Sequence, residues 1–379
     1  MSKILERIVA NQLKDYLDEF RLLHRYQSGF RSKHSTTTAL IKITNDILKA
    51  IDDSKFTSLV LLDFAKAFDT VLHPLLLAKM HAIGIDELSL KWFASYLSGR
   101  KQCVRVNKDT STYRNVQCGV PQGSILGPLL FAIFINVLHD CFIESNHHMF
   151  ADDVQNSNSF SPAEADNSLT KINSDLKRVH EWSLSNGLSL NIAKCQHLII
   201  GSNQLCQNYP IPSLSHHNAI SINNTTLVTS STVKNLGLIF DQNLSWEPHI
   251  NSQCRSALQQ IRYLSKFKHF LSVATKRKLV YALIIPLLEY YDSVFINAPK
   301  SSLLRIQKIQ NASVRFVFNL KKFDSVRDYL KKLNWLSMDN RRTLHLLSLI
   351  IFYMTKNRLI FLTFLSQHSP ITPMLLGST

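Results

Sequence analysis

Three aspartates stand where carboxylates could hold metal ions. Asp63 follows a short apolar run, Phe56–Leu62, and Asp152 and Asp153 are adjacent in the segment Phe150–Asp153. Carboxylates next to apolar runs are unfavourable unless they are paired or bound to a cation. Two Mg²⁺ ions held about 4 Å apart by carboxylates drive phosphoryl transfer. The three residues therefore predict a two-metal site, although two adjacent aspartates on their own more often mark a simple turn.

A segment rich in glycine lies between the acidic positions. Gly119–Ser124 carries two glycines and a proline directly before the apolar stretch Ser124–Cys141. Glycine and proline fix a bend and let the backbone come close to a ligand. In that position Gln122 could reach the base or sugar edge of a nucleotide. The alternative for this loop is a purely structural turn.

The elements that must position these residues alternate between helical and extended patterns up to about residue 240. Beyond about residue 250 the pattern is helical throughout, so we expect an α/β catalytic body followed by a helical domain. Apolar periodicity, caps and turn residues predict helices over 2–20, 36–51, 74–83, 87–97, 124–141 and 161–185, strands over 56–62, 188–190, 197–200 and 233–240, and a hairpin over 102–117.

The positive charge of the chain is concentrated in its last third. The formal net charge is +16, from 43 Lys+Arg and 27 Asp+Glu. Residues 1–249 hold 23 basic and 22 acidic side chains, whereas residues 250–379 hold 20 and 5. Such a basic segment is typical of proteins that bind a polyanion. We therefore expect residues 250–379 to contact nucleic-acid phosphates, with a merely solvated surface as the alternative.

Cysteine usage and hydropathy bear on the cellular compartment. The six cysteines form no CxxC pair, which favours a reduced, intracellular protein over a zinc or disulfide framework. The start of the chain does not have the pattern of a signal peptide, and apolar runs such as Ser124–Val137 are too short to span a bilayer. We expect no membrane partner, and the sequence does not distinguish nucleus from cytoplasm.

The acidic and glycine-rich segments together resemble a known family. Asp63 with Phe68, Gly119–Ser124 and Phe150–Asp153 match motifs A, B and C of reverse transcriptases in order and spacing. The longer strings Leu62–Val71 and Gly119–Phe131 are similar to those of non-LTR (LINE-type) retrotransposons near the jockey and CR1 groups.

The resemblance implies an RNA-directed DNA polymerase with a right-hand fold of mixed α/β (α+β) class. A split β-α-β palm and partial fingers would occupy residues 1–241, the reverse transcriptase domain. Residues 242–379 would form a basic helical thumb and connection region. The implied partners are an RNA template, a DNA primer and dNTPs.

Catalytic roles follow from the resemblance position by position. Asp63, Asp152 and Asp153 would be the catalytic triad that binds two Mg²⁺ ions, with Mn²⁺ as an alternative. Lys194 resembles the motif D lysine that could protonate the departing pyrophosphate. An exposed lysine without a role is the other interpretation of that position.

The nucleotide pocket is implied in the same way. Phe68 would be the steric gate, whose ring fills the space that a ribose 2′-hydroxyl needs. Phe64, Gln122 and Gly123 would line the dNTP pocket beside it. Arg31, in a segment that resembles a fingers motif, would touch the triphosphate.

The chain also departs from the family pattern, which leaves alternatives open. Family members carry further fingers residues before the equivalent of Ser2, and target nicking is expected to need a separate endonuclease activity. The strand after the aspartates, Val154–Phe160, is unusually polar, with Asn156 and Ser157 at positions that are commonly apolar. A truncated, inactive nucleic-acid-binding remnant is therefore one alternative. An RNA-dependent RNA polymerase is another, and the bulky Phe68 disfavours it.

Overall fold

The computed structural model describes residues 2–210 and 219–356. The chain divides into two units, residues 1–236 and 237–379. Predictions that fall on Met1 and on residues 357–379 lie outside the described residues. The predicted division between a polymerase region, 1–241, and a thumb region, 242–379, stays a prediction.

The first unit mixes helices with short strands, as its sequence pattern predicts. Its helices are α1 (Ser2–Glu19), α2 (Thr36–Asp52), α3 (His73–Ala82), α4 (Glu87–Leu97), α5 (Gly127–Ile135), α6 (Ala165–Ser185) and α7 (Asn203–Asn208). Its strands are β1 (Phe56–Leu62), β2 (Lys101–Gln102), β3 (Arg105–Val106), β4 (Asp109–Thr110), β5 (Arg114–Asn115), β6 (Asn146–Phe150), β7 (Asp153–Phe160), β8 (Gln196–Ile200), β9 (Ser221–Ile222), β10 (Thr225–Thr226) and β11 (Thr232–Asn235).

An antiparallel four-stranded sheet lies at the centre of this unit. Its strands follow the order β6-β7-β1-β8. β1 pairs with β7 along its whole length, from Phe56 opposite Phe160 to Leu62 opposite Val154, and with β8 on its other side. All but one of the β1 residues are buried. This confirms the predicted strand, since an apolar run without alternation suits a strand covered on both faces.

Helix α5, which follows the glycine-rich loop, is buried along almost its whole length. Its Leu130, Phe131 and Phe134 have no solvent exposure. The predicted helix over 124–141 is wrong in length, because the α-helix ends at Ile135 and a 3₁₀ turn continues to Cys141. At that junction the Asn136 carboxamide hydrogen-bonds the backbone of Leu22 and His24 instead of its own helix.

Two predicted strands also differ from the structure. The segment 188–190 contributes only an isolated bridge between Leu190 and Phe64. The strand predicted over 233–240 is two strands, β11 and β12 (Leu238–Asp241), because Leu236 and Gly237 both adopt positive φ. The hairpin over 102–117 forms as two short exposed ladders, β2 with β5 and β3 with β4.

The polar strand β7 is formed over its full length despite its composition. Side-chain hydrogen bonds replace the apolar contacts expected there: Asn156 Nδ2 donates to Ser145 Oγ at 2.7 Å and Gln155 Nε2 to Asn235 Oδ1 at 2.8 Å. Asn156 Oδ1 and Gln155 Oε1 remain buried without hydrogen-bond partners among the described residues. The expected weakness of this arm therefore lies in unsatisfied oxygens and not in a missing strand.

The second unit is helical after the strand β12. Helix α8 (Glu247–Ser265) packs against α11 (Lys300–Phe318), and α9 (Val273–Leu283) packs against α10 (Ile285–Glu289) and α11. Phe240, Ile250, Val280, Phe295 and Val317 are fully or almost fully buried between these elements. Its helices are α8 (Glu247–Ser265), α9 (Val273–Leu283), α10 (Ile285–Glu289), α11 (Lys300–Phe318), α12 (Arg327–Lys332) and α13 (Met338–Lys356). Within the two described ranges, we find no helix with the length and apolarity that a membrane crossing requires.

Candidate active site

Sheet register brings the three aspartates to the same end of the central sheet. Leu62, the last residue of β1, pairs with Val154 of β7, so Asp63 comes next to Asp153 across the two strands. Asp153 also pairs with Phe150 of β6 and closes a tight hairpin whose tip is Ala151-Asp152. Asp63 and Asp153, which are 90 positions apart in sequence, thus meet because the antiparallel pair β1–β7 ends at both of them.

Burial and mutual repulsion together raise the pKa values of the two adjacent carboxylates. Partial burial raises the pKa of Asp153 to about 6, and the negative charges of Asp152 and Asp63 contribute to the rise. Burial also raises the pKa of Asp152, again with a contribution from Asp63. Like charges held together disfavour ionisation. A bound cation would stabilise the ionised form of these carboxylates and offset their mutual repulsion.

A lysine faces the first aspartate from a neighbouring loop. Lys194 Nζ lies 3.9 Å from Asp63 Oδ2 at the end of the 3₁₀ turn Ile192–Lys194. Backbone hydrogen bonds hold that loop beside β1: Asn191 N donates to Asp63 O and Ala65 N donates to Ser189 O, both at 2.8 Å. The sequence prediction that Lys194 belongs near the acidic site is thus matched by its position, while its chemical role stays a prediction.

The donor set suits a hard divalent cation. Three carboxylates offer the oxygen ligands that Mg²⁺ and Mn²⁺ prefer. Within residues 2–210 and 219–356, no three His, Cys, Asp or Glu side chains already stand in metal-binding geometry. The hairpin tip would therefore have to bring the carboxylate oxygens closer together around a metal.

A cavity of about 460 Å³ opens beside Asp63 and Asp152. Its size and its mixture of acidic, basic, amide and aromatic side chains suit a nucleotide. Three of the residues predicted to bind the dNTP line it, namely Phe64, Phe68 and Gln122. The complete lining is Asp63, Phe64, Ala65, Lys66, Ala67, Phe68, Asp69, Gln122, Asp152, Asn191 and Lys194.

Phe68 is held rigidly at the cavity wall. Its ring stacks on Phe131 of α5 with 4.2 Å between centroids, and the edge of Phe30 approaches it at 6.1 Å. Phe131 is fully buried, so the stack fixes Phe68 from the core side. The ring is half-buried and presents its remaining surface to the cavity.

The glycine-rich loop is fastened to the segment that carries Phe68. Gly119 N donates to Val71 O at 2.7 Å and Val120 N to Phe68 O at 2.8 Å. Gly119 has a φ of +87°, and a Cβ there would lie 2.7 Å from Asp69 O. At the end of the loop Gln122 Nε2 donates to Asp69 Oδ1 at 2.8 Å. These bonds orient the Gln122 carboxamide at the mouth of the cavity.

Two residues predicted to bind the nucleotide do not line this cavity. Gly123 lies beyond Gln122, and its carbonyl accepts a hydrogen bond from Lys3 Nζ at 2.7 Å. Arg31 is half-buried, and its guanidinium donates to the backbone oxygens of His24 and Gln27. In this arrangement Arg31 stabilises its own loop, so contact with a triphosphate would need that loop to open.

A second cavity of about 350 Å³ lies on the other side of Asp63. Asp63 and Lys194 border both cavities, whereas Asp153 faces this one and Asp152 the first. Lys234, Asn235 and Leu236 form its far wall. The acidic cluster therefore separates two spaces that could hold the two reactants of a transfer reaction.

Sequence reasoning did not assign a role to Lys66, Asp69 or Asn191, which also line the first cavity. Lys66 has a φ of +51° and directs the chain into the 3₁₀ turn Ala67–Asp69. The sequence could have indicated Lys66 and Asp69, since both fall within the motif A segment Leu62–Val71 that includes Asp63. Asn191 lies in the segment Leu190–Lys194, which carries the resemblance to motif D, and the hydrogen bond from its amide to Asp63 O places it here.

Comparison with known proteins decides which family this site belongs to. The family model for reverse transcriptases (RNA-dependent DNA polymerases) matches residues 1–240. The chain belongs to the reverse transcriptase family. Enzymes of this family generally use divalent metal ions, which agrees with the carboxylate cluster. The mixed α/β polymerase fold expected from the sequence is confirmed.

Curated relatives of this chain come from insect non-LTR retrotransposons, as its motifs predict. The probable RNA-directed DNA polymerase from transposon BS of Drosophila melanogaster is 32% identical over 84% of this chain and 35% of its own length. The polymerase from mobile element jockey of Drosophila funebris is 26% identical over 86% of this chain and 36% of its own length. The chain thus spans about a third of the length of these relatives.

Solved structures give a weaker match. A telomerase structure from Candida albicans shares 13% identity and a TM-score of 0.46, covering 89% of this chain and 58% of that chain.

Proposed function

We propose that this chain is an RNA-directed DNA polymerase that adds dNTPs to the 3′-hydroxyl of a primer paired with an RNA template. The observation that carries the proposal is the acidic cluster of Asp63, Asp152 and Asp153, which stands between two cavities with an aromatic wall at Phe68. Family membership supports the same reaction. The RNA template, the DNA primer and the dNTPs are all part of the proposal.

The carboxylates of Asp63, Asp152 and Asp153 would hold two Mg²⁺ ions, with Mn²⁺ as a substitute. When bound, these ions would supply the positive charge that activates the primer hydroxyl and neutralises the pyrophosphate leaving group. The chain contributes the ligands, their spacing and a rigid sheet end. Asp63 borders both cavities, so it is the residue suited to ligate on both sides.

We assign the larger cavity to the dNTP. There the ring of Phe68 would occupy the position of a ribose 2′-hydroxyl, and Phe64 would pack beneath it. Gln122 would meet the base or sugar edge. Lys194 and Lys66 are the cations that border this space, and both suit an anionic triphosphate. Lys194 could also give its proton to the departing pyrophosphate.

We assign the smaller cavity to the primer terminus. Asp153 faces it from the acidic cluster, and Lys234 with Asn235 faces it from the end of β11. A backbone phosphate of the primer could pair with Lys234 while its 3′-hydroxyl points toward Asp63. The attack on the α-phosphate would then cross from one cavity to the other.

The basic second unit would bind the nucleic-acid backbone without reading its sequence. No Asp or Glu occurs between Pro248 and Leu288, a stretch that carries seven Lys and Arg. All seven except Lys276 are exposed; Lys276 is buried and donates to Asn319 Oδ1. Phosphate contacts of this kind give affinity that falls steeply with salt.

Primer extension on poly(rA)/oligo(dT) with Mg²⁺ and dTTP tests the proposal. The wild-type chain should extend the primer, and the Asp152→Ala/Asp153→Ala variant should not. The double variant must still bind the primer–template, which shows that it is folded. Salt-sensitive binding without extension by the wild type would overturn the proposal and support a binding remnant, an alternative that the comparisons do not favour.

A further inference from the structure

The tip of the catalytic hairpin adopts a backbone conformation that needs support. Ala151, the residue directly before the two aspartates, has a φ of +58°. The left-handed region is unfavourable for an L-residue other than glycine, because its Cβ comes too close to the following carbonyl oxygen. Ala151 is also buried, so water does not satisfy its amide and carbonyl. Something in the protein must therefore hold this residue in place.

A single buried side chain contacts both backbone groups of Ala151. Gln27 has no solvent exposure. Its Oε1 accepts from Ala151 N at 3.0 Å and from Gly29 N at 2.7 Å, and its Nε2 donates toward Ala151 O at 3.4 Å. A carboxamide can accept and donate at once, and Gln27 uses both capacities on one residue of the hairpin.

The backbone around Gln27 grips the same hairpin. Met149 N donates to Tyr26 O at 2.9 Å, and Ser28 N donates to Met149 O at 2.8 Å. Gly29 completes the contact, because a Cβ there would lie 2.2 Å from Ala151 N. The segment from Tyr26 to Gly29 thus packs directly against the backbone of the hairpin tip.

We propose that Gln27 is a positioning residue that holds the turn at Ala151 and thereby aims the carboxylates of Asp152 and Asp153 at the divalent metal. The inference rests on the proposed function. The sequence links the segment Gln27–Arg31 to the triphosphate through Arg31. The inference adds a second role for this segment, which is to position the metal ligands. Partners behind the ligands of a metal site commonly change metal affinity or activity 10–100-fold when they are removed.

Gln27→Leu is the test, because leucine keeps the apolar bulk of the side chain and removes the carboxamide. Two readouts are made without substrate: hydrogen–deuterium exchange of peptides that contain residues 149–153, and Mn²⁺ binding followed by electron paramagnetic resonance. We expect exchange at the Ala151 amide to rise about tenfold or more, with β1 unchanged. The dissociation constant of Mn²⁺ should rise roughly tenfold or more.

Two further variants control for a general loss of stability. Gln310→Leu removes a buried carboxamide that donates to Leu336 O at 2.8 Å within the second unit. It should leave both readouts at wild-type values. Gln27→Asn keeps a carboxamide but shortens the side chain by one methylene. It should show the same two defects as Gln27→Leu, and it replaces that variant in the test if Gln27→Leu does not fold.

Wild-type exchange at Ala151 in both Gln27 variants would overturn the inference, as would an equal loss of Mn²⁺ affinity in Gln310→Leu. The two readouts also separate this inference from the proposed function. If the wild type binds no Mn²⁺ and extends no primer, the proposed function fails, while the exchange measurement still decides whether Gln27 holds the hairpin.

Discussion

At the scale of single residues, the ring of Phe68 explains how one side chain could select the sugar of the substrate. The ring is fixed by Phe131 on one side and bordered by Phe30 on the other, so it cannot easily turn away. A ribose 2′-hydroxyl placed against it would meet carbon atoms instead of water or a hydrogen-bond partner. Under the proposed function, sugar selection would therefore depend on the packing behind the ring as much as on the ring itself.

Phe68→Ala should admit ribonucleotides. We expect the ratio of kcat/KM for dNTP over that for NTP to fall by at least about tenfold, which corresponds to about 1.4 kcal/mol. Single-nucleotide extension with dTTP and UTP measures the ratio. Phe30→Ala removes only the edge contact and should change the ratio much less. An unchanged ratio in Phe68→Ala would contradict the steric gate.

Asp153 gives the site a defined pH dependence. Its pKa is about 6 in the folded protein, against 3.8 for an unperturbed aspartate. The contribution of this group to stability is therefore greatest below about pH 4 and is lost as the pH rises through 6. Ionisation of the cluster without a cation destabilises the fold, and a cation that binds the ionised form offsets that cost.

Asp153→Asn should stabilise the protein at pH 7.5 in EDTA and have little effect at pH 4. The side chain is solvent-accessible, so we expect a screened effect on the order of 1 kcal/mol, or roughly 2–4 °C in melting temperature. Differential scanning fluorimetry at both pH values measures it. Asp46→Asn, at an exposed carboxylate on α2, is the control. A larger gain at pH 4 than at pH 7.5 would contradict the raised pKa.

At the scale of elements, the hairpin β6–β7 is anchored at both ends. Gln27 holds its tip, and Asp175 of α6 holds its base. The fully buried Asp175 carboxylate accepts from Ile143 N at 3.1 Å and Glu144 N at 3.2 Å, and it also contacts Ser145 Oγ and Arg178. These bonds fix the turn that leads into β6, and Ser145 in turn accepts from Asn156 of β7.

Asp175→Ala should lower the free energy of unfolding by about 3–5 kcal/mol, because it leaves two backbone amides and Arg178 without their buried acceptor. Urea unfolding followed by circular dichroism measures the loss. Asp166→Ala changes an exposed aspartate in the first turn of the same helix and should cost less than about 1 kcal/mol. Equal losses in the two variants would show that Asp175 is not an anchor.

At the scale of the whole molecule, charge is divided between the two regions. The first carries the acidic cluster and nearly balanced charge, and the region after residue 250 carries most of the excess positive charge. Lys266 and Lys268 are exposed in the turn after α8, next to the exposed Phe270. We propose this turn as a phosphate contact.

Lys266→Ala/Lys268→Ala should weaken primer–template binding and reduce its dependence on salt. Removing two phosphate contacts should lower the slope of log affinity against log salt by about 2. Fluorescence anisotropy between about 50 and 200 mM KCl gives the slope. Lys42→Ala is the matched control, because Lys42 is already paired with Asp46 at 3.3 Å. An unchanged slope in the double variant would exclude this turn as a contact.

The sequence alone determined the strand β1 and the helices α2 and α4, because local apolar spacing is enough to predict each of them. It also determined which acidic residues form the site, since they stand next to apolar runs. It also determined the family, since three motifs agree in order. The helix over 124–141 was predicted too long, because its last six residues form a 3₁₀ turn, which begins where Asn136 N–H donates to Ile133 O, and apolar periodicity does not distinguish such a turn from an α-helix.

Tertiary structure alone decided how the site is assembled. Sheet register places Asp63 beside Asp153, and a loop 38 to 41 residues after Asp153 places Asn191 and Lys194 at the cavity. The bond from Gln27 to Ala151 joins residues 124 positions apart. Local sequence cannot specify such contacts, because their free energy exists only once the sheet has brought distant segments within hydrogen-bond distance.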